Sequence, residues 1–416
     1  MTLLLVQMMI VLLMALVCGS IARKLGQARV IGEIAGGILL GPSVFGRIAP
    51  HSSSILLPQH SFSSFEILSN VGLILFLFLI GSELDYEDLR KQKETATLAS
   101  VMSILLPFAM AVIISPALHS RFAPEGIGRL PFMLFLGISM SITAFPVLAR
   151  ILEERGLQST SLGTTSLMCA AVDDVFAWLL LALALTLLPS VNTAIPISHR
   201  LLWLIAYITV MAGVIRPLGK WLARRQTNIA LSYELFAVTI AMVLASAAAT
   251  EAIGVHPLFG AFLAGLCFPR VKSWQSAIRT RLDMIVSVLL LPLFFAVTGM
   301  KTRLDLLTGT KIWLWTGLVL LIAIAGKMGG AVIAARWTGQ SWQNAWALGA
   351  LLNTRGLVEL IVLNIAYNAH VFSPTLFTML VIMALVTTML TSPLLNLLGI
   401  EDRNAQKQDL ASTKAA

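Results

Sequence analysis

Residues 170–178 read Ala170-Ala171-Val172-Asp173-Asp174-Val175-Phe176-Ala177-Trp178, two adjacent carboxylic acids in the middle of an apolar run. The run extends from about Ser159 to Leu188 and carries no other charge. A helix needs roughly 20 residues to cross a bilayer, so this run is long enough. An ionisable group at the bilayer centre costs a few kcal/mol even on lenient insertion scales, and such groups line ion or proton paths. The pair points to a helical membrane protein that handles a cation or a proton.

Composition agrees. Hydrophobic residues make up 57% of the chain and charged residues 12%, with a mean hydropathy of +0.88; a soluble chain carries about 25% charge. This is the composition of an all-α, multi-pass membrane protein. The net charge of +9 is assigned to basic cytoplasmic loops, not to a nucleic-acid partner. Cys18, Cys169 and Cys267 all fall in apolar segments, which argues against a disulfide or a zinc site, and no cofactor is expected. The segment Leu3 to Ile21 has no basic residue before it and is followed by Arg23, Lys24 and Arg29, so it reads as a retained helix and not as a signal peptide.

Apolar runs separated by charged or Pro/Gly-rich breaks predict about thirteen spans, near 3–22, 30–45, 66–83, 95–118, 130–150, 160–188, 201–222, 231–251, 255–269, 282–300, 312–335, 343–368 and 373–399. With the N-terminus outside, about twenty of the 29 Lys and Arg residues fall in cytoplasmic loops and tail and about seven in outer loops, a bias that sets orientation. Thirteen spans then put the C-terminus in the cytoplasm. The polar stretch 401–416 is expected to be a short cytoplasmic tail.

An internal repeat is legible. Phe76–Leu84 (FLFLIGSEL) in the third span resembles Phe294–Thr302 (FFAVTGMKT) in the tenth, and Gly36 and Gly41 in the second match the spacing of Gly260 and Gly265 in the ninth. Both matches are offset by seven spans. Seven is odd, so the second copy is inverted, as in many transporters. Spans 1–6 and 8–13 are the two six-helix copies and span 7 the linker. Equivalent spans 5 and 12 both carry interruptions. One has Ser141, Thr143 and Pro146; the other has Asn353, Thr354, Arg355, Gly356 and Glu359. Pro146 removes a backbone donor and clashes with the preceding turn. Paired broken helices at the midplane bring carbonyls and half-helix dipoles to a small ion.

The intramembrane charges are Asp173 and Asp174 in span 6, Lys327 in span 11, and Arg355 and Glu359 in span 12. A buried lysine needs an acid partner. Neighbouring residues on a helix point about 100° apart, so one aspartate faces Lys327 and the other the ion path. Arg355 and Glu359 are spaced i,i+4, which favours a structural pair within one helix. Glu33 is placed at the cytoplasmic end of span 2, as an entrance or an interfacial acid, and Glu251 and His256 flank an outer loop.

These residues resemble those of a known family. The chain is similar to monovalent cation:proton antiporters of the branch with an Asp-Asp pair, as in cyanobacterial sodium/proton antiporters and plant and fungal potassium/proton exchangers. The motifs are Ser141–Leu152 (SITAFPVLARIL), Ala170–Trp178, Pro292–Thr302 (PLFFAVTGMKT) and Asn353–Ile365 (NTRGLVELIVLNI), with Gly32–Ser43 and His256–Gly265. The resemblance implies the sodium/proton-antiporter fold with crossed broken helices. It implies a panel of residues 1–94 and 230–303 that forms a homodimer, core helices in 95–190 and 304–400, and a linker helix in 191–229. It further implies that Asp174 is the principal cation- and proton-binding carboxylate, that Asp173 pairs with Lys327, and that Thr143 helps line the site. Ser141, Asn353, Thr354, Arg355 and Glu359 support it. The only metal expected is the transported monovalent cation at Asp174, Asp173 and Thr143. Plant relatives often carry Asn in place of the first acid; Asp173 here favours the charge-moving form. Many relatives have a long cytoplasmic tail, whereas the expected tail here is the short stretch 401–416, so nucleotide or phosphorylation control through a tail is not expected.

The expected activity is exchange of Na+ or K+ for protons by alternating access, probed by competition at one carboxylate and requiring no enzyme chemistry. An electroneutral K+/H+ exchanger is the alternative, and a cation channel or an organic-anion symporter of the same fold are weaker ones. An intramembrane aspartyl protease would need two acids facing each other across a substrate, and no Gly-x-Gly-Asp motif occurs. The expected setting is multi-pass in a bacterial inner or plasma membrane, surrounded by lipid.

Overall fold

A computed structural model of the chain describes residues 2–58, 61–83, 93–158, 160–186, 197–225, 232–254 and 257–400. His256 and the tail 401–416 lie outside the described residues. Every regular element among the described residues is helical. In chain order they are α1 (Thr2–Lys24), α2 (Arg29–Leu40), the short α3 (Phe45–Ile48) and α4 (Pro50–Leu56), α5 (Ser61–Glu83), α6 (Lys93–Phe122), α7 (Arg129–Ser141), α8 (Phe145–Glu154), α9 (Ser161–Thr186) and α10 (Ile197–Val210). Then come α11 (Arg216–Arg225), α12 (Tyr233–Ile253), α13 (Pro257–Cys267), α14 (Lys272–Ile285), α15 (Leu291–Lys301), α16 (Thr310–Trp337), α17 (Trp342–Leu352), α18 (Leu357–Asn368) and α19 (Pro374–Leu397). Several are long and apolar enough to cross a bilayer, among them α1, α6, α12, α16 and α19.

The expected spans map onto this order with their interruptions explained. Span 5 is two helices, α7 and α8, separated by Ile142–Ala144, and span 12 is α17 and α18, separated by 353–356. Pro146 is the second residue of α8, where its missing N–H is one of the donors a helix start leaves unpaired anyway. It therefore starts the second half-helix and does not kink a continuous one. Spans 7 and 10 stay continuous through π-helical turns at Met211–Ile215 and Val286–Leu290. Each turn lies just before a proline, Pro217 or Pro292, and a π-turn absorbs the hydrogen bond that proline removes. Ser232, Ser341 and Ser373 cap α12, α17 and α19 by accepting from Leu235, Asn344 and Leu376 N–H.

The chain divides into two compact units. The first comprises Met1–Leu13, His51–Asp85 and Ala182–Val297, and the second Met14–Pro50, Tyr86–Leu181 and Thr298–Ala416. The repeat is visible inside each. In the first, Gly81 of α5 lies against the backbone of Phe262 and Gly265 on α13. In the second, its repeat partner Gly299 of α15 lies against the backbone of Ile34 and Gly37 on α2. A Cβ at either position would collide with those backbones, so the helices approach as closely as small residues permit. Repeat-equivalent glycines thus meet repeat-equivalent helices.

Candidate functional site

All the intramembrane charges lie in the second unit, at the crossing of the two broken helices. The breaks bond directly. Ala144 N–H donates to the Thr354 carbonyl at 2.9 Å, and the Thr143 hydroxyl lies 2.9 Å from the Leu352 carbonyl. Around them Ala144, Leu148, Ala170, Ala350 and Leu351 are buried in one apolar cluster, so charges here interact in a low-dielectric setting.

α9 brings Asp173 and Asp174 to the crossing, and α16 brings Lys327. Gly330, one turn beyond the lysine, lets α16 close onto the Met102 carbonyl of α6. Lys327 Nζ donates to Asp173 Oδ2 at 2.7 Å, and both side chains are fully buried. It also donates to the Ser141 carbonyl. The Thr143 hydroxyl lies 2.6 Å from the same Asp173 oxygen. That hydroxyl has one hydrogen for two acceptors, Asp173 and Leu352.

Asp174 is treated differently. It is 2% exposed, and its Oδ1 is buried with no hydrogen-bond partner among the described residues. Buried polar atoms are nearly always satisfied, so an orphaned carboxylate oxygen calls for an explanation such as a missing ion or proton. Asp173 borders a narrow recess whose walls include Ile104, Ile138, Ile142 and Phe176, with Ser141 as its other polar edge.

Arg355 sits in the second break. Its Nη1 donates to the Ser139 carbonyl at 2.8 Å and its Nη2 to the Met140 carbonyl at 2.7 Å. Its contact with Glu359 Oε1 is longer, 3.4 Å. The i,i+4 pair read from sequence is present, but it straddles the start of α18, and the guanidinium is mainly committed to the end of α7. Glu359 is fully buried and its Oε2 has no partner among the described residues. The carbonyls ending α7 are therefore held by fixed cations: Ser139 and Met140 by Arg355, Ser141 by Lys327.

The supporting residues divide. The Ser141 hydroxyl bonds the Gly137 and Ile104 carbonyls. Thr354 Oγ1 faces Thr391 Oγ1 at 3.2 Å. Asn353 is 1% exposed and its Oδ1 has no partner among the described residues. Glu33 is buried and paired with Arg29 at 2.9 Å, and Glu251 is exposed. Thr388 escaped the sequence reading. Its hydroxyl accepts from Arg355 N–H at 2.9 Å and lies 2.6 Å from the Arg355 carbonyl. The available signal was the run Thr387, Thr388 and Thr391 in an otherwise apolar span.

The family model described as "Sodium/hydrogen exchanger, transmembrane" matches residues 10–397. The chain belongs to that family. Like other members of a transporter family built from apolar helices, it is an integral, multi-pass membrane protein. This exchanger-family chain is 41% identical over 397 residues to the Na(+)/H(+) antiporter NhaS4 of Synechocystis, covering 94% of this chain and 96% of that one. It is 40% identical to cation/H(+) antiporter 17 of Arabidopsis thaliana over 94% of this chain and 48% of the relative. With K(+)/H(+) antiporter 1 of Saccharomyces cerevisiae it shares 32% identity over 92% of this chain and 45% of the relative. The chain thus spans about half the length of these plant and fungal relatives. Its fold matches the sodium proton antiporter MjNhaP1 of Methanocaldococcus jannaschii with a TM-score of 0.66 at 15% identity, over 95% of this chain and 96% of that one.

Proposed function

We propose that this exchanger-family chain moves a monovalent cation, Na+ or K+, against protons, with Asp174 as the carboxylate that holds either. The observation that carries the reading is the contrast within the acid pair. Both acids leave Oδ1 buried without a donor among the described residues, but Asp173 is held through Oδ2 by Lys327 and Thr143, and neither of those two residues bonds Asp174. An unpaired carboxylate in a dry site is costly to leave charged. A proton or a cation removes that cost, and the two compete for it. Exchange becomes obligatory if the empty, charged site crosses an apolar barrier only with difficulty. The relatives named as Na+/H+ and K+/H+ antiporters support this substrate class.

In this reading the core helices within 95–190 and 304–400 rock against the panel helices of 1–94 and 230–303, as alternating-access transporters do. The protein works as a homodimer in lipid, with the N-terminus outside and the C-terminus in the cytoplasm of a bacterial membrane. No covalent chemistry is needed, so the chain acts as a transporter and not as an enzyme. Lys327 gives the exchange a route to net charge movement. If a cation entering at Asp174 displaces the ammonium proton as well as the carboxyl proton, two protons leave for one cation.

Purified protein in proteoliposomes carrying a pH-sensitive dye tests both levels. Addition of Na+ or K+ to proton-loaded vesicles is expected to drive proton efflux, and on a supported membrane to produce a transient current. No cation-driven proton movement with any monovalent cation would overturn the antiport reading. Full exchange on an electrically silent membrane would replace the charge-moving form with one-for-one exchange.

A further inference from the structure

The two half-helices that end at the crossing are terminated by different chemistry. The last carbonyls of α7 receive two fixed cations, the Lys327 ammonium and the Arg355 guanidinium. The last carbonyls of α17 receive neutral donors: Ala350 accepts from the Thr391 hydroxyl, Leu351 from Thr354 N–H and Leu352 from the Thr143 hydroxyl. Both ends carry the partial negative charge of a helix C-terminus, which favours a cation. At α7 the side chains supply that cation. At α17 none of these bonds does.

The residue that follows Leu352 is Asn353, 1% exposed, with its amide oxygen buried and unpartnered. The carbonyl that precedes it is joined to Asp173 by a short hydrogen-bonded chain. Asp173 Oδ2 is 2.6 Å from the Thr143 hydroxyl, and that hydroxyl is 2.9 Å from the carbonyl of Leu352. Four side-chain oxygens of the two breaks and the acid pair share one feature: Asp173 Oδ1, Asp174 Oδ1, Asn353 Oδ1 and Glu359 Oε2 are buried acceptors with no donor among the described residues, and of these Asn353 Oδ1 is the neutral one. Orphaned acceptors in an apolar interior are individually unfavourable, and a dehydrated monovalent cation needs oxygens of this kind.

We propose that the amide oxygen of Asn353 is a ligand of the transported cation and helps to set which monovalent cation is preferred. This rests on the antiport reading above and adds to it a neutral ligand from the second broken helix. Selectivity among alkali cations follows the number and field strength of the coordinating oxygens. A neutral amide has a weaker field than a carboxylate, so its removal changes the balance between a small cation and a larger one and does not scale both equally.

The test uses the full chain in proteoliposomes, with proton efflux driven separately by sodium and by potassium. Asn353→Leu keeps the volume and removes the oxygen. Asn353→Ser keeps an oxygen, one bond nearer the backbone. Asn353→Leu is expected to raise the half-saturating concentration of the preferred cation about tenfold, the equivalent of one good polar interaction, with maximal rate within about twofold. It is also expected to change the sodium-to-potassium ratio of half-saturation. Asn353→Ser is expected to give a smaller shift and a partly restored ratio. A purely structural asparagine would alter thermal unfolding in detergent and maximal rate while leaving that ratio fixed, and that outcome overturns the proposal. Should the leucine variant fail to fold, the serine variant decides alone: half-saturation unchanged for both cations overturns the proposal, and a changed ratio supports it. Wild-type protein that moves no protons in response to either cation overturns the antiport reading itself. Active wild type with indifferent Asn353 variants overturns only the role of Asn353.

Discussion

Residues 142–144 and 353–356 interrupt repeat-equivalent spans, yet they are built from different chemistry. The first break ends a half-helix whose carbonyls bind Lys327 and Arg355. The second ends a half-helix whose carbonyls bind only hydroxyls and an N–H in the bonds described. The first break also supplies Thr143 to the second, and the second supplies Arg355 to the first. Repetition of the backbone thus does not repeat the charge. One helix end meets cationic side chains of the protein itself, and in the reading proposed above the other meets the transported cation. In that reading the asymmetry separates a scaffold from a proposed binding site within one crossing.

The harshest way to break the comparison is at the acid that faces neither fixed cation by a hydrogen bond. Asp174→Asn keeps the shape and removes the carboxylate proposed to hold either a proton or a cation. Cation-driven proton flux is expected to disappear, with dimeric, folded protein retained by size exclusion and thermal unfolding. Flux near the wild-type rate would move the carrier to Asp173 and reverse the assignment of the two acids.

Next come the cations that hold the first break. Lys327→Ala strands the buried Asp173 carboxylate and leaves the Ser141 carbonyl without its ammonium, at an expected cost of about 3–5 kcal/mol. Asp173→Asn is expected to cost a related amount. The double variant should lose less than the sum, because neither charge is then isolated. Strictly additive losses in detergent unfolding would mean that the 2.7 Å pair contributes no coupling. Arg355→Met is expected to fall in the same range, since two carbonyls and the Glu359 carboxylate lose their donor together. Arg355→Lys should recover only part of it. An ammonium is a point charge and lacks the planar fork that reaches Ser139 and Met140 at once.

The sequence carried the first break further than the second. Pro146 marked a discontinuity near Thr143, because proline cannot sit inside a continuous helix without loss, and the break ends one residue before α8 begins. The Lys327–Asp173 contact was legible for an equally simple reason: a membrane lysine demands an acid, and two acids were adjacent. In the second break no proline stands, and the charge spacing suggested a helix-internal Arg355–Glu359 pair. What periodicity does not reveal is that Arg355 precedes the first turn of α18 and reaches across to carbonyls more than 200 residues earlier in the chain. A backbone carbonyl has no residue-type signature, so a side chain that bonds one is invisible to sequence pattern. Thr388 was hidden similarly, since threonines in apolar helices usually bond their own preceding turn, and this one also bonds the break.

The smallest change sharpens the comparison where the two breaks touch. Thr143 has one hydroxyl hydrogen and two acceptors, Asp173 Oδ2 at 2.6 Å and the Leu352 carbonyl at 2.9 Å. When Asp173 is ionised, the charged oxygen is the stronger acceptor and draws the hydrogen. If Asp173 carries a proton, it donates to Thr143, and the hydroxyl hydrogen turns to Leu352. The hydroxyl thereby links the state of the acid to the end of α17. Thr143→Val removes it while preserving shape, and is expected to cost about 1–2 kcal/mol of stability. It should also raise the half-saturating cation concentration by several-fold, with little change in maximal rate. Thr143→Ser, which keeps the hydroxyl and drops only a methyl group, should stay close to wild type in affinity. Equal affinities for the valine and serine variants would reduce Thr143 to a packing residue. A serine variant that tracks wild type while the valine variant does not would place the hydroxyl itself between the neutral end of α17 and the acid that Lys327 holds.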